Sequence, residues 1–491
     1  MRKFPISAAL TIVSLGALLM LLRMWMPAVI DSPQATLAAM VDFTPESTPA
    51  SPLVERRQRE APMVWMERRA AGGGSPAHDA THMPLLDDRN GDLDHFYESL
   101  WRTEKGSGMT RILHYGDSPT TADLVTGDAR RLLEERFGDG GQGLVLISKP
   151  WAWYQHRGVE LNGSGWQIAP ASHFKAMDGA FGIGGVSFTG RAGAHSRLIW
   201  NDPGQSNFEL WYMAEPDGGV VTLAADGQSV ARVATCGAAG PAFAAFAVPG
   251  GAHEVDLTVE SGRVRLFAIT AEKAGPGVVY DSAGLNGASI TVLSRMFNQA
   301  HWTEELRHRN PDLVVINYGT NEADFASFVD KGYEKELREA IRRLRAALPQ
   351  ASILIMSPMD RGEHVGADGI VTMATIPRIV ALERRVAGET GCGFFDTFDA
   401  MGGEGTMARW YTHEPRMVSA DLIHPYPAGG KLVADVLVKE MDRGLSRYKL
   451  RVMTAPAGAA SGSGIGNGHK SATGGSRADE SVRPTRPTLG H

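Results

Sequence analysis

Between about residue 276 and residue 450 the chain alternates two kinds of segment. "DLVVINYGTNEAD", "SILIMSP" and "CGFFDTF" carry short, continuous apolar runs, each ending in a polar turn. "YEKELREAIRRLRAAL", "IPRIVALERRVAGET" and "PAGGKLVADVLVKEMDRGL" place apolar residues at helical spacing between and after them. Strands apolar on both faces, joined by amphipathic helices, predict a parallel sheet covered by helices on each side. The same rhythm occurs once earlier: "LDHFYESLWRTE" reads as a helix, "RILHYG" as a strand and "DLVTGDARRLLEERFG" as a helix.

After Pro150 the texture changes for about 125 residues. "SRLIW", "FELWYMA", "GVVTLAADGQSVARV", "HEVDLTVE" and "RVRLFAIT" alternate apolar and polar residues between Gly, Asp and Pro turns. That period of two predicts an all-β sandwich inserted into the α/β unit. The expected organisation is a signal anchor over 1–30, a flexible linker over 31–90 and the first part of the α/β domain over 91–150. The β insert then covers 151–275, the second α/β part 276–450, and a low-complexity tail 451–491.

At the N-terminus, Arg2 and Lys3 precede the apolar run "FPISAALTIVSLGALLMLL", long enough to span a bilayer as a helix. The reading is an uncleaved anchor, with the remainder of the protein periplasmic or extracellular. With 21% charged residues and a net charge of −6, nothing points to a nucleic-acid partner. The two cysteines, Cys236 and Cys392, form no metal-binding spacing and leave a disulfide open. Protein partners are not indicated.

Four polar clusters fall where the strands end or in a late loop: Gly116-Asp117-Ser118, Gly284-Leu285-Asn286-Gly287, Gly319-Thr320-Asn321-Glu322 and Asp421-Leu422-Ile423-His424. Ligands of open α/β sheets gather at the carboxyl ends of the strands. A serine hydroxyl needs a base to become a nucleophile, and His424 is the candidate. Asp421, three residues before it, can bond the far ring nitrogen. The backbone N–H groups of Ser118 and Gly287 and the side-chain amide of Asn321 would meet the oxyanion. Asp117 and Glu322 read as structural. Taken singly, Ser118 could merely cap a helix, and Gly287 and Asn321 could merely form turns.

In this order the four clusters resemble the SGNH (GDSL-type) hydrolases, over about 230 residues of the α/β part. "HYGDS", "GLNGAS" and the β insertion between the first two clusters look most like bacterial peptidoglycan and polysaccharide O-acetylesterases. The resemblance implies a flavodoxin-like parallel sheet, Ser118, Asp421 and His424 as triad, and Ser118, Gly287 and Asn321 as oxyanion hole. It implies no metal or other cofactor. Pro119 stands where many members carry histidine or leucine.

Pro119 also separates two kinds of esterase. In α/β-hydrolases the residue after the nucleophile donates its N–H to the oxyanion, and proline has none. The SGNH arrangement uses the serine's own N–H, so proline removes nothing. Pro119 is also expected to open the following helix and hold Ser118 extended. In "KPWAWYQHRG", Trp151, Trp153 and Tyr154 could stack on sugar rings, against the plainer reading of core packing. The expected activity is removal of acetyl groups from an acetylated cell-envelope glycan. An O-acetyltransferase with the same triad, or a non-catalytic glycan-binding protein, are the alternatives.

Overall fold

The computed structural model describes residues 84–173, 178–366 and 369–454. The proposed anchor, the linker before residue 84 and the tail after residue 454 lie outside them. Six strands form the central sheet: β1 (Leu86–Asp87), β2 (Met109–Gly116), β3 (Gly277–Gly284), β4 (Leu313–Asn317), β5 (Ser352–Met356) and β6 (Gly393–Phe395). Their order is β1-β6-β5-β4-β2-β3. β2 to β6 run parallel, and only β1 pairs antiparallel, at the edge beside β6. The expected linker therefore ends earlier than residue 90, because Leu86 and Asp87 already belong to the sheet.

Alternate residues of these strands enter two separate cores, as the pleat requires. Leu313 and Val315 pack with Phe96 and Leu100 of α1 (Asp94–Glu104), Leu133 of α2 (Leu124–Phe137) and Leu437 of α6 (Pro427–Thr454). Val314 and Ile316 face the other way, toward Trp302 of α3 (Gln299–Arg309), Leu337 of α4 (Tyr333–Ala347) and Ile379 of α5 (Thr375–Thr390). The last helix extends to Thr454, past the start expected for the tail.

The insert consists of two antiparallel sheets. One runs from Gln228–Ala234 at one edge to Val159–Ser164 at the other; the second is built around Asn207–Ala214 and Arg263–Glu272. Gly143–Leu146, expected to precede the insert, pairs with Arg263–Glu272, so the antiparallel part begins at Gly143. The insert shares a core with the parallel domain: Phe181 of the insert packs on Phe297, which stacks on Trp302, itself bonded through its indole N–H to the Tyr115 hydroxyl at 2.9 Å. A buried ionic cluster locks the junction. Arg309 bonds both oxygens of Asp281 on β3 and also Glu272, which Arg111 of β2 grips with two further bonds. Cys236 is exposed and Cys392 buried, and both are free thiols.

Candidate active site

Ser118 opens a single helical turn, Ser118–Thr121, directly after β2. Gly116 and Gly284 end two neighbouring strands in register. A Cβ at Gly116 would stand 2.1 Å from Thr120 Oγ1, and one at Gly284 would stand 2.1 Å from the Thr121 nitrogen. Two glycines let this turn rest on the sheet end, where any side chain would push it off.

The expectation of an extended Ser118 is not met. Thr121 N–H donates to the Asp117 carbonyl at 2.9 Å and Ala122 N–H to the Ser118 carbonyl at 3.0 Å, which closes the turn with Asp117 as its cap residue. Pro119 costs this turn nothing, since first-turn N–H groups have no partner within the helix. Ser118 is consequently not the cap, and its hydroxyl is turned elsewhere.

It meets His424: Ser118 Oγ lies 2.8 Å from Nε2, and Nδ1 lies 2.6 Å from Asp421 Oδ2. A carboxylate can only accept, so Nδ1 carries the hydrogen and a neutral ring leaves Nε2 as acceptor for the serine O–H. Ser118 is 9% exposed, whereas His424 and Asp421 line an open side. The other Asp421 oxygen, Oδ1, accepts the N–H groups of Ile423 (2.9 Å) and His424 (3.1 Å) and the Ser419 hydroxyl. Burial opposes charge on both partners, but it is outweighed. The His424 bond and its neighbouring donors hold Asp421 well below the usual carboxylate range. The Asp421 bond and charge, with Asp117, raise His424 above the ordinary imidazole value.

The other two turns are laced to this one. Leu285 N–H donates to the Gly116 carbonyl at 3.0 Å, and Asn321 Nδ2 donates to the Ala288 carbonyl at 2.8 Å. An amide carries two N–H bonds, so one remains for a ligand. Gly287 has φ of +66°, which favours glycine, and a Cβ there would meet open space. Among the described residues, no protein group accepts the N–H of Ser118 or of Gly287. Glu322 binds the two turns from beneath, accepting from Ile290 N–H (2.7 Å) and Gly319 N–H (3.0 Å). Burial pushes its carboxyl up to about 7, despite those donors. Asp117 is likewise buried and pushed up to about 6, Thr320 and His424 moderating the rise.

Some expected and some unexpected residues complete the picture. Tyr154 is only 3% exposed and packs in the core, so its ring offers no free face, whereas Trp151 is half-buried and packs one side against that core. Trp153 stays half-buried on the same loop, which Gln155 N–H ties to the Thr121 carbonyl at 3.2 Å. Sequence reasoning passed over Ser419 and Arg361. Arg361 donates to the Thr320 carbonyl (2.7 Å) and to Asp324 (2.7 Å), and the next residue, Gly362, donates its N–H to the Leu422 carbonyl (2.9 Å). It thereby joins the Asn321 turn to the His424 loop. Its place in a polar turn after a strand, "SPMDRGE", was the available signal.

The model of the GDSL-like lipase/acylhydrolase family matches residues 251–432. That stretch holds Gly287, Asn321, Asp421 and His424 but not Ser118, which the β insert separates from them. The solved structure of a peptidoglycan O-acetylesterase is 25% identical and superposes with a TM-score of 0.64, covering 74% of this chain and all of that one. The α/β domain is an SGNH (GDSL-type) hydrolase. The protein is accordingly an esterase, most similar to the O-acetylesterases of that family. Weaker likenesses among solved structures include protein YxiM of Bacillus subtilis (13% identity, 58% of this chain and 90% of that chain, TM-score 0.30). A family two carbohydrate esterase from Clostridium thermocellum gives 13% identity, 59% and 99% coverage, and a TM-score of 0.24. No curated protein sequence matches the chain.

Proposed function

We propose that this esterase removes acetyl groups from a cell-envelope polysaccharide, peptidoglycan foremost, through an acyl-enzyme. The observation that carries the reading is the continuous relay from Ser118 Oγ through the His424 ring to Asp421, at 2.8 and 2.6 Å. The similarity to a peptidoglycan O-acetylesterase extends over all of that protein, which favours the same substrate class here.

In this reading Ser118 Oγ attacks the acetyl carbonyl while Nε2 of His424 takes its proton, and Asp421 stabilises the imidazolium. The oxyanion is met by the N–H groups of Ser118 and Gly287 and by the remaining amide hydrogen of Asn321. His424 returns the proton to the departing sugar oxygen, leaving acetyl-Ser118. A water activated by His424 then releases acetate and restores the hydroxyl. Trp151 and Trp153, both half-buried, are the aromatics of their loop that can still touch a sugar. Residues 1–30 would hold the enzyme at the membrane, with its site on the envelope side.

Acetate release from isolated O-acetylated cell wall, wild type against Ser118→Ala, tests the activity. A chain-length series of nitrophenyl esters tests the acyl preference. Acetate release that does not depend on Ser118 would remove the mechanism, and acetyl transfer to an added glycan without release would replace hydrolysis by transferase chemistry. Fractionation of cells producing the full chain tests its place at the membrane.

A further inference from the structure

Among the described residues up to Tyr448, the large apolar side chains standing exposed are Phe325, Val365, Val371 and Tyr426. Scattered exposed apolar residues are ordinary; these four all lie on segments that follow or are bonded to the turns of the site. Tyr426 follows His424 by two residues, within about 7 Å of chain. Phe325 follows Asn321 by four, across a 3₁₀ turn that rises about 2 Å per residue. The two valines belong to a hairpin whose first residue, Gly362, is bonded to the loop carrying His424.

We propose that Phe325 and Tyr426 form an aromatic rim that grips a pyranose ring of the glycan by stacking, so that the enzyme selects polymer-borne acetyl groups over small free esters. This rests on the reading of the protein as a polysaccharide O-acetylesterase. Phe325 is 63% exposed and Tyr426 37%, so both side chains reach solvent. Both rings are nevertheless firmly mounted. Phe325 donates its N–H to Glu322 (2.9 Å), and its carbonyl accepts from Phe328 and Val329. Tyr426 donates to Met417 (2.8 Å), and its carbonyl accepts from Gly429 and Gly430. Rings presented on a backbone that is already bonded lose little freedom on binding, the condition under which stacking yields selectivity. The occupant continuous with the site is the sugar that carries the ester. A flat aromatic face on an open rim suits the C–H face of such a ring, and the Tyr426 hydroxyl can bond its polar edge.

Phe325→Ala, Tyr426→Ala and the double variant would be compared with wild type on sonicated O-acetylated peptidoglycan and on 4-nitrophenyl acetate. The expected result is at least a tenfold fall in the ratio of kcat/KM for the polymer to that for the small ester. The loss should lie in KM, be greater in the double variant and be reversed in Phe325→Trp and Tyr426→Phe. An unchanged ratio, or equal loss on both substrates, overturns the rim. So does a shift from dimer to monomer at unchanged ratio, which would assign the rings to contact between two copies. A wild type that cleaves the small ester but releases no acetate from polymer would instead sink the polysaccharide reading itself, a separate outcome.

Discussion

Replacing Asp421 by asparagine asks what the carboxylate does, and the surrounding bonds make the answer specific. Three donors converge on Oδ1: the N–H groups of Ile423 and His424 and the hydroxyl of Ser419. An asparagine side chain in this place must keep its oxygen toward them, because its NH2 cannot accept. The NH2 then faces His424 Nδ1, where Oδ2 now accepts at 2.6 Å. Nδ1 is forced to accept, the ring hydrogen moves to Nε2, and the neutral imidazole presents a hydrogen to Ser118 instead of a lone pair. A wrong tautomer of this kind costs on the order of 10⁴ in kcat, about 5.5 kcal/mol of barrier.

Asp421→Ala leaves the tautomer free, since water can occupy the vacated space on this open side of the site. It loses the stabilisation of the imidazolium but not the usable ring form. The expected order on 4-nitrophenyl acetate is therefore wild type, then Ala, then Asn, with melting temperatures of all three within a few degrees of one another. Active-site titration before the kinetics excludes contaminating wild type. An asparagine variant as active as the alanine variant, or more so, would refute the argument that Oδ1 is pinned by its three donors.

Other expectations follow from the same geometry. In the proposed mechanism the neutral form of His424 is the base, and its titration is raised, so kcat/KM should climb with pH through a midpoint above the ordinary 6.5. Asp117→Asn removes one cause of that rise, and the rate-against-pH curve should shift to lower pH. Glu322→Gln keeps the size of the side chain but turns an NH2 toward one of two backbone donors. It should cost about 1–3 kcal/mol of stability in denaturant unfolding and lower kcat through the Gly287 and Asn321 turns. Arg361→Met severs the Thr320 and Asp324 bonds; kcat on 4-nitrophenyl acetate should fall by about tenfold, on the order of one broken charge-assisted bond. KM should change little, and Arg361→Lys should restore part of the rate.

Much of this site could be read from the chain because the chemistry sits where strand patterns end. A buried strand such as "LVVIN" announces itself by composition, and the polar turn after it is then a candidate by position alone. What could not be read depends on contacts remote in sequence. Leu86–Asp87 is too short to show any period, and only its pairing with Phe394 and Phe395 makes it a strand. Gly143–Leu146 is apolar enough for either sheet, and its partner lies more than a hundred residues away on Arg263–Glu272. Tyr154 and Trp153 are one residue apart in an irregular loop, where no periodicity tells the buried ring from the accessible one. The backbone of Ser118 is helical rather than extended. The rule that a residue before proline avoids helix is a steric preference, and here it yields to a turn closed by two hydrogen bonds on the sheet end.

The β insert lies between the first and second polar turns of the site. It parts Ser118 from the other turns of the site, and the hydrogen-bonded Ser118 and His424 stand 306 residues apart. The intervening chain folds against the hydrolase sheet through a shared core: Phe181 on Phe297, Phe297 on Trp302, Trp302 on Tyr115. Tyr115 is three residues before Ser118. The same β region sends back the loop whose Gln155 N–H holds the Thr121 carbonyl, and whose Arg157 bonds Asp128 at 2.6 Å and donates its N–H to Asp123. Asp123 is the left-handed residue at which the serine turn ends and α2 begins, and Arg130 clamps its carboxylate from the other side. The β insert thus buttresses the Ser118 turn on two sides, and the placement of one hydroxyl depends on a domain that contributes no group to the Ser118–His424–Asp421 chain of hydrogen bonds.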